Sequence, residues 1–343
     1  MTSISPTTNG RAIRRSALCG VCGCILALAG GAQIAHAQVV QSIDNSDIGS
    51  VVSAPNSDTV FRIAPSTGLV SNVSGSGVRL STGTTRSLVT IYCDSRTCDR
   101  QMLKVEVGAA GTPTNRAKTL SNFTVADGTA TLGPVTGTNP ITFSTTTAIR
   151  SRNTLTFYIG MDFPIAGNKG GLPTGLSTSG FYVYVCAPAD SCTPTSGSNG
   201  LAVASVLRPI AVSVGSNLIF GSVLRPLSGT GMVSLDTSGQ RAVANGAIGL
   251  AIPTPKAASY TVTGEGGQLI SISIPPSFTM VRSGGSETLT VSTTNDVVTS
   301  PTLNNTLGKG GTYTFNVGGS FPLDSSVPLG SYTGTFTVTV QYN

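Results

Sequence analysis

Wherever this chain is periodic, apolar and polar residues alternate with period two, the pattern of strands with one buried face. Residues 87–92 (Ser-Leu-Val-Thr-Ile-Tyr) and 102–107 (Met-Leu-Lys-Val-Glu-Val) read as paired strands, as do 259–263 and 269–274. β-branched and aromatic residues carry these runs, and turn residues separate them. Residues 181–185 and 201–214 alternate as well, and the cleanest alternation of all closes the chain. There Phe336, Val338, Val340 and Tyr342 fall on one face, with Thr337, Thr339 and Gln341 on the other. After the first 37 residues no run of 12 or more repeats at 3.6, which predicts very little helix.

The pattern occurs twice. Ile48-Gly49-Ser50-Val51-Val52 is matched by Phe220-Gly221-Ser222-Val223-Leu224, and residues 157–164 are matched by 315–322, in the same order. The offsets are 172 and 158 residues, so the copies differ by insertions between anchors. Such a length predicts a duplicated globular domain, since solenoid units repeat every 20 to 50 residues or so.

Composition narrows the setting. Arg11, Arg14 and Arg15 precede an apolar run from Ile25 to Ala35, and Ala35-His36-Ala37 has the small-x-small form of a signal peptidase site. This predicts a secretory signal over 1–37, cleaved before Gln38, and an extracytoplasmic protein: periplasmic in transit, then secreted or at the cell surface. No later stretch approaches the roughly 20 apolar residues of a spanning helix. Losing the signal removes the only His (His36), three of the seven Cys and three Arg, and lowers the formal charge from +6 to +3. No Lys/Arg run remains in the sequence, so nucleic acid is not expected as a partner. Charged residues make up only 10% of the chain, against about 25% in average soluble domains. Ser, Thr and Gly cover the surface instead, yet 39% hydrophobic residues in alternating runs suffice for a core and argue against disorder.

Four cysteines remain. Proximity favours Cys93 with Cys98 and Cys186 with Cys192 among three possible connectivities. Loops this short give about 2 kcal/mol each in the chain-entropy model. Residues 193–200 (Thr-Pro-Thr-Ser-Gly-Ser-Asn-Gly) have linker composition. The expected division is therefore a signal at 1–37, a diverged domain at 38–199 and a second domain at 200–343. Which domain the strand at 201–214 completes is open. The expected fold class is all-β: two tandem antiparallel Ig-like or pilin-like β-sandwiches, with a closed barrel as the competitor.

The closing strand has Gly330 fourteen positions from the end, counting Asn343 as the first, and a penultimate Tyr342. With Phe336, Val338 and Val340, that combination resembles the terminal motif of bacterial chaperone-usher fimbrial subunits. The resemblance implies that this strand serves assembly, pairing first with a periplasmic chaperone and later bordering a groove filled by another subunit. An usher and other surface subunits are then the implied partners. Residues 330–334 (Gly-Ser-Tyr-Thr-Gly) resemble the corresponding turn of spore coat U-type domains. More broadly, both copies are similar to an exported bacterial family known as a domain of unknown function. Its hydrophobic-Phe-Gly opening, Val-Gly-Gly step and Gly-x-Tyr-x-Gly closing strand stand here at 217–221, 317–319 and 330–334. The first copy departs from it, with Ile48 in place of the Phe and Gly160-Met161 in place of the Gly pair.

Catalysis is not expected. Without His there is no Ser-His-Asp or Cys-His site, and most carboxylates, such as Asp44, Asp58, Asp127, Asp236 and Glu265, stand among turn residues. The spacing of Asp94 and Asp99 matches no calcium loop, and Gly264–Gly267 lacks the following helix of a phosphate loop. Neither a metal nor a cofactor is expected. The function expected is that of a non-enzymatic structural or adhesive subunit, fimbria-like or coat-like, assembling by β-strand addition. The alternative is a monomeric binding module for a polysaccharide or small ligand. Residues 38–47 alternate poorly and make a weak donor strand, which suits a tip or single-copy protein.

Overall fold

The computed structural model describes residues 38–343; the expected signal lies outside them. The chain is all-β, its only helical elements being three short 3₁₀ turns among the described residues. Two groups of sheets follow one another along the sequence, each with its own apolar interior.

In the N-terminal half two sheets face each other across one core. One runs in the order Gln38–Ile43, Ser87–Cys93, Thr154–Ile165, Thr59–Ile63, Val70–Ser74, with Ser121–Asp127 also paired to Thr154–Ile165. The other has Ser46–Val52, Ser198–Leu207, Gly175–Cys186, Lys104–Ala110 and Ile141–Ser144 as its successive main strands. Inward residues such as Phe157, Ile159, Phe181, Val183 and Val206 are 0% exposed. Among the described residues pairing is antiparallel with one exception, since Ser46–Val52 runs parallel to Ser198–Leu207.

Residues 87–92 and 102–107 do not pair with each other. Ser87–Cys93 belongs to the first sheet and Lys104–Ala110 to the second, so the disulfide loop arches across the core edge. The same holds at 264–267, where Ala258–Glu265 and Ile270–Ser273 lie in different sheets. Alternation reports only that one face of each strand is buried, and two strands facing each other across a core satisfy it as well as a hairpin does.

The stretch 193–200 is not a free linker. Pro194–Ser196 forms a 3₁₀ turn, and residues from Ser198 onward are strand. Its linker-like composition has a packing cause: a Cβ on Gly200 would stand 2.3 Å from the Phe181 ring. Ser198–Leu207 straddles the division expected at 199/200 and completes the N-terminal sheet, while Ala211–Ser216 opens the C-terminal one.

The C-terminal half repeats this order of pairing. Its long strand Gly310–Asp324 is flanked by Ala258–Glu265, Thr230–Leu235 and Thr288–Asn295, as Thr154–Ile165 is by Ser87–Cys93, Thr59–Ile63 and Ser121–Asp127. Gly160 and Gly318 occupy like positions, where a Cβ would stand 2.2 Å from the Ile63 carbonyl and 2.3 Å from that of Leu235. Gly49 and Gly221 both adopt positive φ, 77° and 75°. These are the glycines of the two sequence matches, so the repeated letters mark repeated backbone constraints.

Candidate functional site

The two halves differ at one slot. In the N-terminal half, Ser198–Leu207 lies between Ser46–Val52 and Gly175–Cys186, hydrogen-bonded to both. In the C-terminal half, the strand that answers to Gly175–Cys186 is the chain's end. Thr339–Tyr342 pairs with Ile270–Ser273 as Gly175–Cys186 pairs with Lys104–Ala110, and its other edge is open. The opposite border is the segment 211–224, whose strand Ala211–Ser216 pairs only with Ala258–Glu265. Among the described residues no backbone hydrogen bond joins these two borders. Each therefore presents a row of N–H and C=O groups to the space between.

The floor of that space is apolar. Phe220, Met280, Leu289, Phe321 and Leu323 keep 5–9% exposure, whereas Ile48, Phe163 and Ile165, the counterparts of Phe220, Phe321 and Leu323, keep 0–1%. Together with Leu218, Val327 and Tyr332 they line an open cavity of about 670 Å³ at one end of the groove. At the other end Ile210, Leu218, Phe336, Val338, Val340 and Tyr342 sit half-buried on a second apolar cluster.

Side chains bridge the borders at both ends. Arg225 Nη1 donates to the Val327 carbonyl at 2.7 Å. Tyr342 Oη donates to the Arg208 carbonyl at 2.9 Å and accepts from the Glu265 N–H at 2.7 Å. Burial pushes the Tyr342 phenol above its ordinary pKa, so it stays protonated and can do both. The fully buried Glu265 carboxylate accepts from the N–H groups of Gly308 and Arg208, and its Oε2 stands 3.5 Å from Arg208 Nε. The penultimate tyrosine thereby ties the last strand to the segment that joins the halves.

The residues singled out in the sequence come to lie in different places. Gly330 lines the cavity, against the Arg282 side chain. Phe336, Val338, Val340 and Tyr342 share one face, but only Thr339–Tyr342 is paired; the backbone of Phe336 and Val338 belongs to no strand. The Cys93–Cys98 and Cys186–Cys192 disulfides both form, far from the groove, in the N-terminal half. The floor residues Met280, Leu289 and Leu323 and the bridging Arg225 carried no sequence signal of their own, whereas Phe321 stands in the 315–322 match, opposite Phe163. Phe220 carried one too, as the aromatic of the repeated Phe-Gly step.

Chemically the groove offers main-chain hydrogen bonds along two edges and apolar contact beneath, with Ser222 and Ser331 among the residues that line the cavity. Among the described residues no group of three or more His, Cys, Asp or Glu could hold a metal ion, and no helix is long and apolar enough to cross a membrane. Main-chain edges over an apolar floor have the bonding that an extended polypeptide can use.

No curated protein matches the chain. Two solved structures cover 89% of it. The first is a chaperone-tip adhesin complex vital for synergistic activation of CFA/I fimbriae biogenesis, with 10% identity over 98% of that chain and a TM-score of 0.24. The second is the CsuC-CsuE chaperone-tip adhesion subunit pre-assembly complex from the archaic chaperone-usher Csu pili of Acinetobacter baumannii, with 12% identity over 99% of that chain and the same TM-score. At that score neither likeness bears on the function of this chain. Residues 210–342, the half that holds the open groove, match the model of a family described as a domain of unknown function, DUF4402.

Proposed function

We propose that this is a non-enzymatic extracytoplasmic surface protein whose C-terminal half is completed by a strand from another polypeptide. In this reading the chain is a duplicated sandwich divided after Leu207. The first copy carries its own last strand, Ser198–Leu207, and in the second no described strand fills that slot. The observation that carries the reading is the empty slot, which has a filled counterpart in the same molecule. The inserted strand would run antiparallel to Thr339–Tyr342, as Ser198–Leu207 does to Gly175–Cys186, and place alternate apolar side chains on Phe220, Met280 and Leu289. A periplasmic chaperone would supply it in transit, and a neighbouring subunit in the assembled structure.

The described chain accepts a strand but has none free to give. Its first strand, Gln38–Ile43, is paired with Ser87–Cys93 and partly buried. That fits a terminal, adhesive position better than a repeating one.

The test is a thermal melt of residues 38–343 with ten-residue peptides. A peptide with Val, Ile or Phe at alternate positions should stabilise the C-terminal half by about 2.7 kcal/mol at 100 times its Kd. A peptide with Asp at those positions should not. If the apolar peptide leaves the melt unchanged, while a small apolar ligand shifts it, the groove is a small-molecule pocket and the strand-addition reading is wrong.

A further inference from the structure

The arginines divide into two sets by what they do. Of the twelve among the described residues, eight are tied down by hydrogen bonds within the fold. Arg62 and Arg282 hold Asp162 and Glu287. Arg79, Arg86, Arg225 and Arg241 donate to loop carbonyls. Arg116 is fully buried among Ser53, Asn168 and Leu172, and Arg208 reaches the Gly308 carbonyl. The remaining four are Arg96, Arg100, Arg150 and Arg152. All four are exposed, and among the described residues the side chains of Arg96, Arg150 and Arg152 have no hydrogen bond or ion pair. Arg100 has only Asp99, at 3.8 Å, while 79% exposed.

These four stand more than 40 residues apart in two pairs, and the fold brings the pairs together. Arg100 N–H donates to the Ile149 carbonyl at 2.7 Å, and Ile149 N–H to that of Gln101. Arg152 N–H donates to the Cys93 carbonyl at 2.8 Å, and Ser151 N–H to Asp99 Oδ1. The two loops, 94–104 and 144–153, thus form one surface. It lies at the pole of the N-terminal half opposite the connection to the C-terminal half: Lys104 pairs with Cys186 here, whereas Val206 pairs with Gly175 at the other end, next to Arg208. The Cys93–Cys98 bridge closes the loop that carries Arg96, and the Cys186–Cys192 loop lies beside Lys104.

Charge bookkeeping isolates the same place. Residues 38–343 hold 17 basic and 14 acidic groups. The two loops hold five basic (Arg96, Arg100, Lys104, Arg150, Arg152) and two acidic (Asp94, Asp99), so the rest of the chain is neutral. Asp190, on the neighbouring stapled loop, and Asp127, whose Oδ1 accepts from the Leu132 N–H opposite Thr145, are further carboxylates near this surface; the Asp190 carbonyl accepts from Lys104.

We infer that this pole is an anion-binding surface and that its ligand is an acidic polysaccharide, carrying carboxylate or sulfate groups along a hydroxylated chain. Exposed guanidinium forks match such groups bidentately. Short loops, one closed by its own disulfide, hold them with little entropy left to lose. The two loops also carry hydroxyl-bearing residues beside the arginines, Ser95, Thr97, Thr146, Thr147 and Ser151, which complement sugar hydroxyls. Single-stranded nucleic acid wants stacking aromatics interleaved with the cations, and neither loop carries one; the half-buried Tyr92 and Tyr184 stand on the adjoining strands. This inference is independent of the strand-addition reading, since the groove lies in the other half.

The test uses purified residues 38–343 at low salt. Heparin serves as sulfated probe and polygalacturonate as carboxylated probe, with dextran as neutral control. Arg96 and Arg150 are the positions to change, because Arg100 and Arg152 adopt φ of 57° and 58°. Arg96→Glu with Arg150→Glu should weaken binding of at least one acidic probe at least tenfold, and salt should weaken it in the wild type. Arg96→Lys with Arg150→Lys should bind more weakly than the wild type but more tightly than the Glu variant, which separates charge from fold. The same charge change at Lys256 and Lys309, exposed in the C-terminal half, should leave it within about twofold. Equal binding by the Glu variant, retention of dextran as strong as of the acidic probes, or preferential binding of single-stranded DNA over both would each overturn the inference.

Discussion

The N-terminal and C-terminal halves share an order of strand pairing and differ in how completely that order is filled. In the first, Ser198–Leu207 closes the sheet, and the inward residues of its neighbour Gly175–Cys186 are all buried. In the second, the neighbour is the chain's end, and its inward residues Phe336, Val338, Val340 and Tyr342 are only half-buried. The same alternation therefore yields two degrees of burial, and the difference is one strand. A sandwich lacking that strand loses both the ladder bonds and the apolar cover it would bring, roughly 25 cal/mol for every Å² of apolar surface left wet.

The largest expected effect that tests this contrast comes from placing a charge on each inward face. Val206→Asp should cost about 4 kcal/mol or more, because an unpaired carboxylate would be sealed in a dry core. Val340→Asp should cost about 2 kcal/mol, since its site is still open to water. Urea unfolding of the two variants would show it, and equal losses would mean the groove is not open in solution. Next in size are the disulfides. Replacing Cys93 and Cys98 by Ser, or Cys186 and Cys192 by Ser, should each lower stability by about 2 kcal/mol, through the N-terminal half alone. Hydrogen exchange resolved by segment should find the strand Gly310–Asp324 as protected as before.

The smallest effect concerns the tie between the halves. Tyr342→Phe removes a hydroxyl that serves the Arg208 carbonyl and the Glu265 N–H, and should cost about 1 to 2 kcal/mol. Faster amide exchange at Glu265 and in Thr339–Tyr342 would accompany it. Unchanged exchange at Glu265 would mean that water takes over the bond and that the tyrosine is no latch.

Much of the fold is legible in the residues alone. Gly49 and Gly221 repeat because both backbones need positive φ, Gly49 where its strand shifts register, and Gly160 and Gly318 because a carbonyl passes where a Cβ would be. The strand character of residues 87–92, 181–185 and 336–343 follows from alternation. Partner choice does not. Residues 87–92 and 102–107 face one core from opposite sheets, an arrangement with the same periodicity as a hairpin. The segment 193–200 reads as a linker because Gly and Ser are what fits against Phe181 and what fills a flexible tether alike.

The sequence by itself determined the class of structure: strands, turns, a charge-poor hydroxyl-rich surface and two local disulfides, all set by interactions among near neighbours. It also contained the two pairs of matched segments from which the proposed reading starts. Only the tertiary structure decided which slot is filled and which is empty, since that depends on whether Ser198–Leu207 pairs backward or forward. Tertiary structure likewise gathered four arginines onto one pole while tying eight others into the fold. Both outcomes turn on contacts between residues far apart in the chain, where backbone groups must find partners and cations must find anions or water, and local pattern has no access to those choices.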